Sequence, residues 1–217
     1  MPELLSKIQN WEIERAYELS AEDESILQQF PVNKAKDWKK PEFKPIRDRI
    51  REFYRNIQND TCCYCRLPIN KGSDQIEIEH IIDKNKRLDF IFEGRNLVVS
   101  CHKCNFTKSK KPVMALCPPI NQYPQDGSTF NILQGHYDDY FEHIEFLEDS
   151  IYHALTTKGE FTIQICGLDR VGLAEQREKV TLYEDDELVS DVIDIRNSAN
   201  NDEKIDALIE KLKALKG

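Results

Sequence analysis

Four cysteines, Cys62 with Cys65 and Cys101 with Cys104, form two Cys-x-x-Cys pairs, and the segment between them carries Glu79, His80 and Asn96. Two such tight turns can present four thiolates to one tetrahedral zinc at about 2.3 Å per Zn–S bond. A four-Cys site is closed and therefore structural. The neighbouring residues add groups that a staple does not need: a Glu79-His80 pair, Asn96 opening the run Asn96-Leu97-Val98-Val99-Ser100, Asn105 directly after Cys104, and the cations Lys108 and Lys110. Singly these mean little, since a Glu-His pair in a strand is ordinarily structural and an Asn after a Cys carries no information. Their order and spacing around the two cysteine pairs carry the functional reading.

In that order the residues resemble the HNH nuclease motif, the zinc-stabilised form of the ββα-metal fold. Cleaving a phosphodiester needs a nucleophilic water, a base to take its proton, a cation at the phosphate and stabilisation of the leaving oxygen. The resemblance implies that His80 is the general base, since a neutral imidazole with a pKa near working pH suits that role. It implies that Glu79, where the family usually has Asp, helps to hold the catalytic Mg²⁺ or Mn²⁺. Asn96 corresponds to the family's middle Asn, which fixes the loop carrying the base. Asn105 stands at the family's last His and can offer a carbonyl oxygen to a hard cation. Lys108 and Lys110 would contact phosphates.

The elements that position these groups are legible in outline. Gln75 to Ile81 alternates polar and apolar residues as a half-buried strand does, and Leu97-Val98-Val99 is its natural partner. Adjacent strand residues face opposite ways, so Glu79 and His80 can serve one phosphate only if the strand ends or bends there; Asp83 is the fallback carboxylate. A polar loop from Asp83 to Arg95 joins the strands, and a short helix from Asn105 to Lys111 follows, stopped by Pro112. Upstream, Ile46, Ile50, Phe53, Tyr54 and Ile57 make one stripe of a helix over 45–57, whose other face holds Arg47, Arg49, Arg51 and Arg55. A basic helical face is ordinarily a solvated one. Its place directly before the first cysteine pair makes Arg47, Arg51 and Arg55 candidates for phosphate contact. Residues 3–30 read as one or two helices, 138–146 as a short strand or packed turn, 156–163 as a turn entering a strand, 173–196 as broken helix, and 205–215 as a final helix with a narrow apolar stripe.

These readings give an α+β protein: a helical N-terminal segment over 1–58, a treble-clef-like ββα core over 59–115, and an acidic, mostly helical region over 116–217. The net charge of −9 is unevenly divided. Residues 1–33 carry −5, residues 34–111 carry +8 and residues 112–217 carry −12. Polyphosphate binding depends on local cationic density, which the middle segment supplies. The acidic flanks suit solvent or a protein partner better than a polyanion. No run approaches a membrane span, and the start Met-Pro-Glu-Leu-Leu lacks the basic and apolar regions of a secretory signal, so the expectation is a cytoplasmic bacterial protein without membrane attachment. Seven cysteines in such a chain argue for metal rather than disulfides, with Cys63, Cys117 and Cys166 left over.

The HNH likeness covers roughly a quarter of the chain. A softer one extends to Trp38-Lys39-Lys40, Tyr137 to Ile144, Thr157-Lys158-Gly159, Ile165 to Arg170 and Glu175-Gln176-Arg177. There the chain resembles the PtuB-like HNH subunits of Septu anti-phage systems, some attached to retrons, which work with a PtuA-like ATPase. That resemblance implies a nuclease effector acting on DNA or RNA within a defence complex. A stand-alone restriction or mobile-element HNH endonuclease and a non-catalytic zinc module that binds nucleic acid are the alternatives.

Overall fold

In the computed structural model, residues 12–69, 76–114, 122–148, 150–170, 172–177, 205, 209 and 210 are described. Residues 1–147 with 151–170 form one compact unit, and 148–150 with 171–217 form a second. All candidate site residues lie in the first. Cys117, most of the segment 173–196 and most of the tail stripe fall outside the described residues, as do residues 3–11.

The alternating segment forms strand β1 (Ile76–His80), which pairs antiparallel with β2 (Leu97–Cys101) in a register that sets His80 opposite Leu97 and Ile76 opposite Cys101. Helix α3 (His102–Lys108) follows β2 without a break, Cys101 serving as its N-cap. It begins three residues earlier than the sequence suggests, so the second cysteine pair lies on the helix entry. Upstream, α1 (Ala21–Gln29) is capped by Ser20, whose hydroxyl accepts from Asp23 N at 3.2 Å while Asp23 caps back on Ser20 N at 3.0 Å. The described residues before Ser20 are not helical.

Helix α2 (Lys44–Ile57) buries Ile46, Ile50 and Tyr54 completely against the β1–β2 hairpin, the face its apolar stripe marks. Just after it, the Gln58 side chain behaves as a short extra strand. Its Oε1 accepts from Val99 N at 2.9 Å and its Nε2 donates to Val99 O at 2.8 Å. Tyr54 reaches further, donating from its hydroxyl to Gly94 O at 2.7 Å and accepting from Tyr17 N at 2.9 Å. Gly94 is required here because a Cβ would lie 2.2 Å from Tyr17 O. The loop ahead of β2 is thereby fixed to α2.

A second two-stranded sheet pairs β3 (Ile144–Leu147) with β4 (Ile151–Ala154), antiparallel. The segment read as a turn entering a strand is instead helix α4 (Thr157–Cys166). Thr156 caps it by accepting from Gly159 N at 3.1 Å, and Gly167 ends it in the left-handed region at φ 62°. The apolar residues that suggested a strand, Phe161 and Ile163, lie on a helix because the cap and the Gly167 stop outweigh local β preference. Helix α4 packs on α3 and β4, so the C-terminal elements support the hairpin–helix core from behind.

His136 is buried in this core, its Nε2 3.1 Å from Leu97 O and its ring edge-on to Tyr54. Burial lowers its pKa to about 4. The unfolded chain binds that proton near pH 6.5, so in the window between about 6.5 and about 4 the unfolded state holds more protons and stability falls as pH falls. The loss has a ceiling of about 3 kcal/mol. Urea midpoints measured from pH 7.5 to 5 should decline with a slope that His136→Gln flattens; an unchanged slope would assign acid lability to other groups.

Candidate active site and metal centre

The first cysteine pair sits in a tight turn closed by Cys62 N donating to Leu67 O at 3.0 Å and Arg66 N to Cys62 O at 3.0 Å, with Arg66 at φ 55°. The second sits at the start of α3, where Cys101 Sγ accepts from Cys104 N at 3.5 Å. The four Sγ atoms of Cys62, Cys65, Cys101 and Cys104 lie within 4.8 Å of one another, and Cys65 and Cys101 are 3.9 Å apart. Four sulfurs at 2.3 Å from a central zinc would be about 3.8 Å apart, so the donor set fits that ion in size and chemistry. Its surroundings fit as well. Tyr152 donates to Cys65 O, Tyr140 to Tyr64 O at 2.9 Å, and Arg170 from Nη2 to Cys104 Sγ at 3.6 Å while its Nη1 holds Gly167 O at 2.7 Å. A guanidinium beside four thiolates offsets the net negative charge that a zinc leaves on them. Sequence reasoning missed these three braces, because nothing in the local pattern around Tyr140, Tyr152 or Arg170 says which backbone or sulfur it will reach.

β1 ends at His80, and the chain bends at Ile81 and Ile82. Glu79 and His80 both line one cleft, together with Glu77, Ile78, Asp83, Lys84 and Asn105. His80 is buried. Its ring stands edge-on to Trp38 at 4.6 Å between centroids, and its Nε2 is 3.1 Å from Ile91 O. A carbonyl can only accept, so Nε2 carries the proton and Nδ1 carries the lone pair. Nδ1 is buried and makes no hydrogen bond. Burial, with Lys84 and Lys108 nearby, holds the His80 pKa well below its ordinary value, so the ring is neutral.

Asn96 is fully buried and ties the loop after His80 to the loop before β2. Its Oδ1 accepts from Ile82 N at 2.7 Å, and its Nδ2 donates to Ile82 O at 3.1 Å and Phe90 O at 3.0 Å. Phe90 adjoins Ile91, whose carbonyl orients His80, so one amide side chain fixes both the strand end that carries the imidazole and the carbonyl that sets its tautomer.

Lys108 is not on the surface of α3 as a phosphate contact would be; it is 1% exposed. Its Nζ is ion-paired with Glu79 Oε1 and donates to His80 O at 3.2 Å. Tyr64 adds a hydroxyl at 3.3 Å from the same carboxylate oxygen. Burial raises the Glu79 pKa, and Lys108 opposes that rise. Lys110, by contrast, is exposed on the cleft rim. Asn105 donates from Nδ2 to Glu77, which also holds His102 Nδ1 at 2.7 Å. Among the described residues no group of three His, Cys, Asp or Glu side chains converges apart from the four cysteines. Glu79 and Asn105 both line the cleft, and Mg²⁺ is a cation that keeps several waters and takes few protein ligands.

The arginines of α2 have partners within the protein. Arg47 donates to Trp38 O and, at 3.0 Å, to Lys40 O; Arg51 pairs with Asp48 at 2.9 Å and Arg55 with Asp60 at 2.6 Å. Arg47 thereby holds the Trp38 segment that covers His80, a role the basic pattern did not announce.

No protein-family model matches the chain. The chain is 28% identical over 98 residues to the Septu protein PtuB of Bacillus thuringiensis. The match takes in 43% of this chain and 35% of that protein, so the chain spans about a third of its relative's length. Over that part it is similar to a component of a Septu system. Among the described residues no helix is long and apolar enough to cross a membrane.

Proposed function

We propose that this chain is a metal-dependent HNH-type endonuclease, with a ββα-metal core, that hydrolyses phosphodiester bonds in nucleic acid as the nuclease of a Septu-like anti-phage complex with an ATPase. The observation that carries the reading is the state of His80: a neutral imidazole whose Nε2–H is fixed on Ile91 O, leaving a buried, unpartnered Nδ1 beside a cleft lined with oxygen ligands and lysines. A structural histidine would satisfy both nitrogens; one kept short of a partner is suited to take a proton. The order hairpin, then helix, with a four-Cys cluster at its base supports the same assignment.

His80 Nδ1 accepts the proton of the attacking water, and Asn96 keeps the ring in register by fixing Ile82 and Phe90. Trp38 and Ile91 enclose the far side of the ring and limit its access to bulk water. A Mg²⁺ or Mn²⁺ ion, when bound, would supply charge neutralisation at the phosphate and leaving oxygen. Glu79 and Asn105 would hold it, with Lys108 clamping one Glu79 oxygen and so limiting the carboxylate's freedom. Lys84 and Lys110 on the cleft rim meet the polyanion. The similarity to PtuB and the acidic flanks support a protein partner for the remaining surface.

The test is cleavage of plasmid DNA and of single-stranded RNA by the purified full chain, alone and co-expressed with its genomic neighbour, in Mg²⁺, Mn²⁺ or EDTA. Metal-dependent cutting that EDTA abolishes is expected, with the co-purified ATPase raising the rate. Full-rate cutting by a monomer without any partner would favour a free-standing endonuclease, and absence of cutting in every arm would leave a zinc-dependent binding module.

A further inference from the structure

Resting on the nuclease reading, we infer that Phe106 and His102 form a stacking platform for an unpaired base next to the cleaved phosphate, so that the preferred substrate is single-stranded or locally opened. Phe106 is 74% exposed, the most exposed large apolar side chain among the described residues, and it stands on α3 at the rim of the cleft that holds Glu79 and His80. The His102 ring lies beside it, centroids 5.9 Å apart and planes 30° from parallel, with its side chain 61% exposed. His102 is held in place: its Nδ1 is 2.7 Å from Glu77 Oε1, Glu77 is held in turn by Asn105, and Phe106 lies beside the His102 ring.

The surrounding charge identifies the occupant. Lys103 and Lys110 are exposed on the same helix and its exit, and Lys84 lines the same cleft. Two near-parallel rings among lysines match the recognition of single strands, in which cations follow the backbone and aromatic faces take bases regardless of sequence. A duplex keeps its bases stacked inside and offers no face to such a platform. Of the carboxylates lining the cleft, Glu79 is ion-paired with Lys108 and Glu77 is held by His102 and Asn105, and the lysines offset the charge of Glu77 and Asp83. Phe106 touches neither the reacting atoms nor the zinc thiolates, and it acts on substrate binding.

The experiment uses the full chain, with its ATPase if the two co-purify, in the His80→Ala background so that the nucleic acid is not cut. Binding is read by anisotropy with a labelled single strand and a matched duplex, and stacking by quenching of 2-aminopurine in the single strand. A stacked base contributes about 1–3 kcal/mol, so Phe106→Ala should weaken single-strand binding by about 5- to 150-fold and abolish the quenching. Phe106→Trp should retain both, and duplex binding should change little. Single-strand affinity and quenching unchanged in Phe106→Ala would overturn the platform, while loss of cutting in His80→Ala against a cutting parent would leave the nuclease reading standing. Loss of ATPase co-elution with nucleic-acid binding intact would make Phe106 a protein contact instead. A parent that neither binds nor cuts any nucleic acid would overturn both.

Discussion

Replacing His80 with Ala is expected to reduce cleavage by about two to four orders of magnitude while leaving zinc content and the far-ultraviolet spectrum of the parent. The magnitude is that of losing a positioned general base. The separation of activity from fold follows from where the ring sits: it touches Trp38 and Ile91, whereas the four-Cys cluster and the β1–β2 ladder are held by other groups. Lys108 holds the His80 carbonyl and not its ring, so the strand end stays tethered in the variant. Asn96→Ala should lower activity for a different reason. It removes three buried hydrogen bonds and leaves the Ile82 N–H and C=O without the partner they have in the parent, so its rate loss should come with measurable loss of stability.

Removing the metal from the four-Cys site should have the largest effect on the fold itself. Structural zinc contributes about 10–16 kcal/mol of binding free energy in small domains, which exceeds the net stability of most folds. Cys65→Ser is therefore expected to lose about one zinc per chain, in keeping with the four-thiolate geometry of such sites, together with most of the soluble yield. Treatment of the parent with a strong chelator should reproduce the unfolding. Cys63→Ser is the control: Cys63 is buried beside the cluster but lies outside the set of four converging sulfurs, so zinc content should be retained. Metal analysis finding no zinc in freshly purified protein, or a Cys65→Ser chain with native stability, would remove the staple from the account.

Local patterns reveal the site's framework, and long-range partners complete it. Period-two alternation marks β1, the stripe of Ile46, Ile50 and Tyr54 marks the buried face of α2, and the spacing of the cysteine pairs marks the thiolate cluster, because each signal lies within one element. Lys108 shows the limit. Its type and place on a short polar helix suggest a phosphate contact, but α4 packs behind α3 and encloses it, and Glu79 supplies the counter-charge that makes burial tolerable. The arginines of α2 find partners that a basic pattern does not name: Arg47 reaches the Lys40 carbonyl ahead of the helix, while Arg51 and Arg55 pair with the nearby carboxylates Asp48 and Asp60. Helix α4 reads as a strand by composition because Thr156 and Gly167 act as cap and stop through backbone geometry, and apolar content does not express that geometry. Gln58 pairing with Val99 across the end of α2 has no local signal at all.

Chemical rescue is the most direct test that the His80 nitrogen takes the proton. In the His80→Ala variant the space between Trp38 and the Ile91 carbonyl is open to a small heterocycle, and added imidazole can donate to Ile91 O as the native ring does. With saturating Mg²⁺ and an otherwise cut-competent preparation, the cleavage rate of the variant should rise with imidazole concentration and level off. N-methylimidazole, which lacks the N–H that Ile91 O holds, should rescue less well. A His80→Ala chain that cuts at the parent rate without imidazole, and does not respond to its addition, would contradict the assignment of His80 as the base.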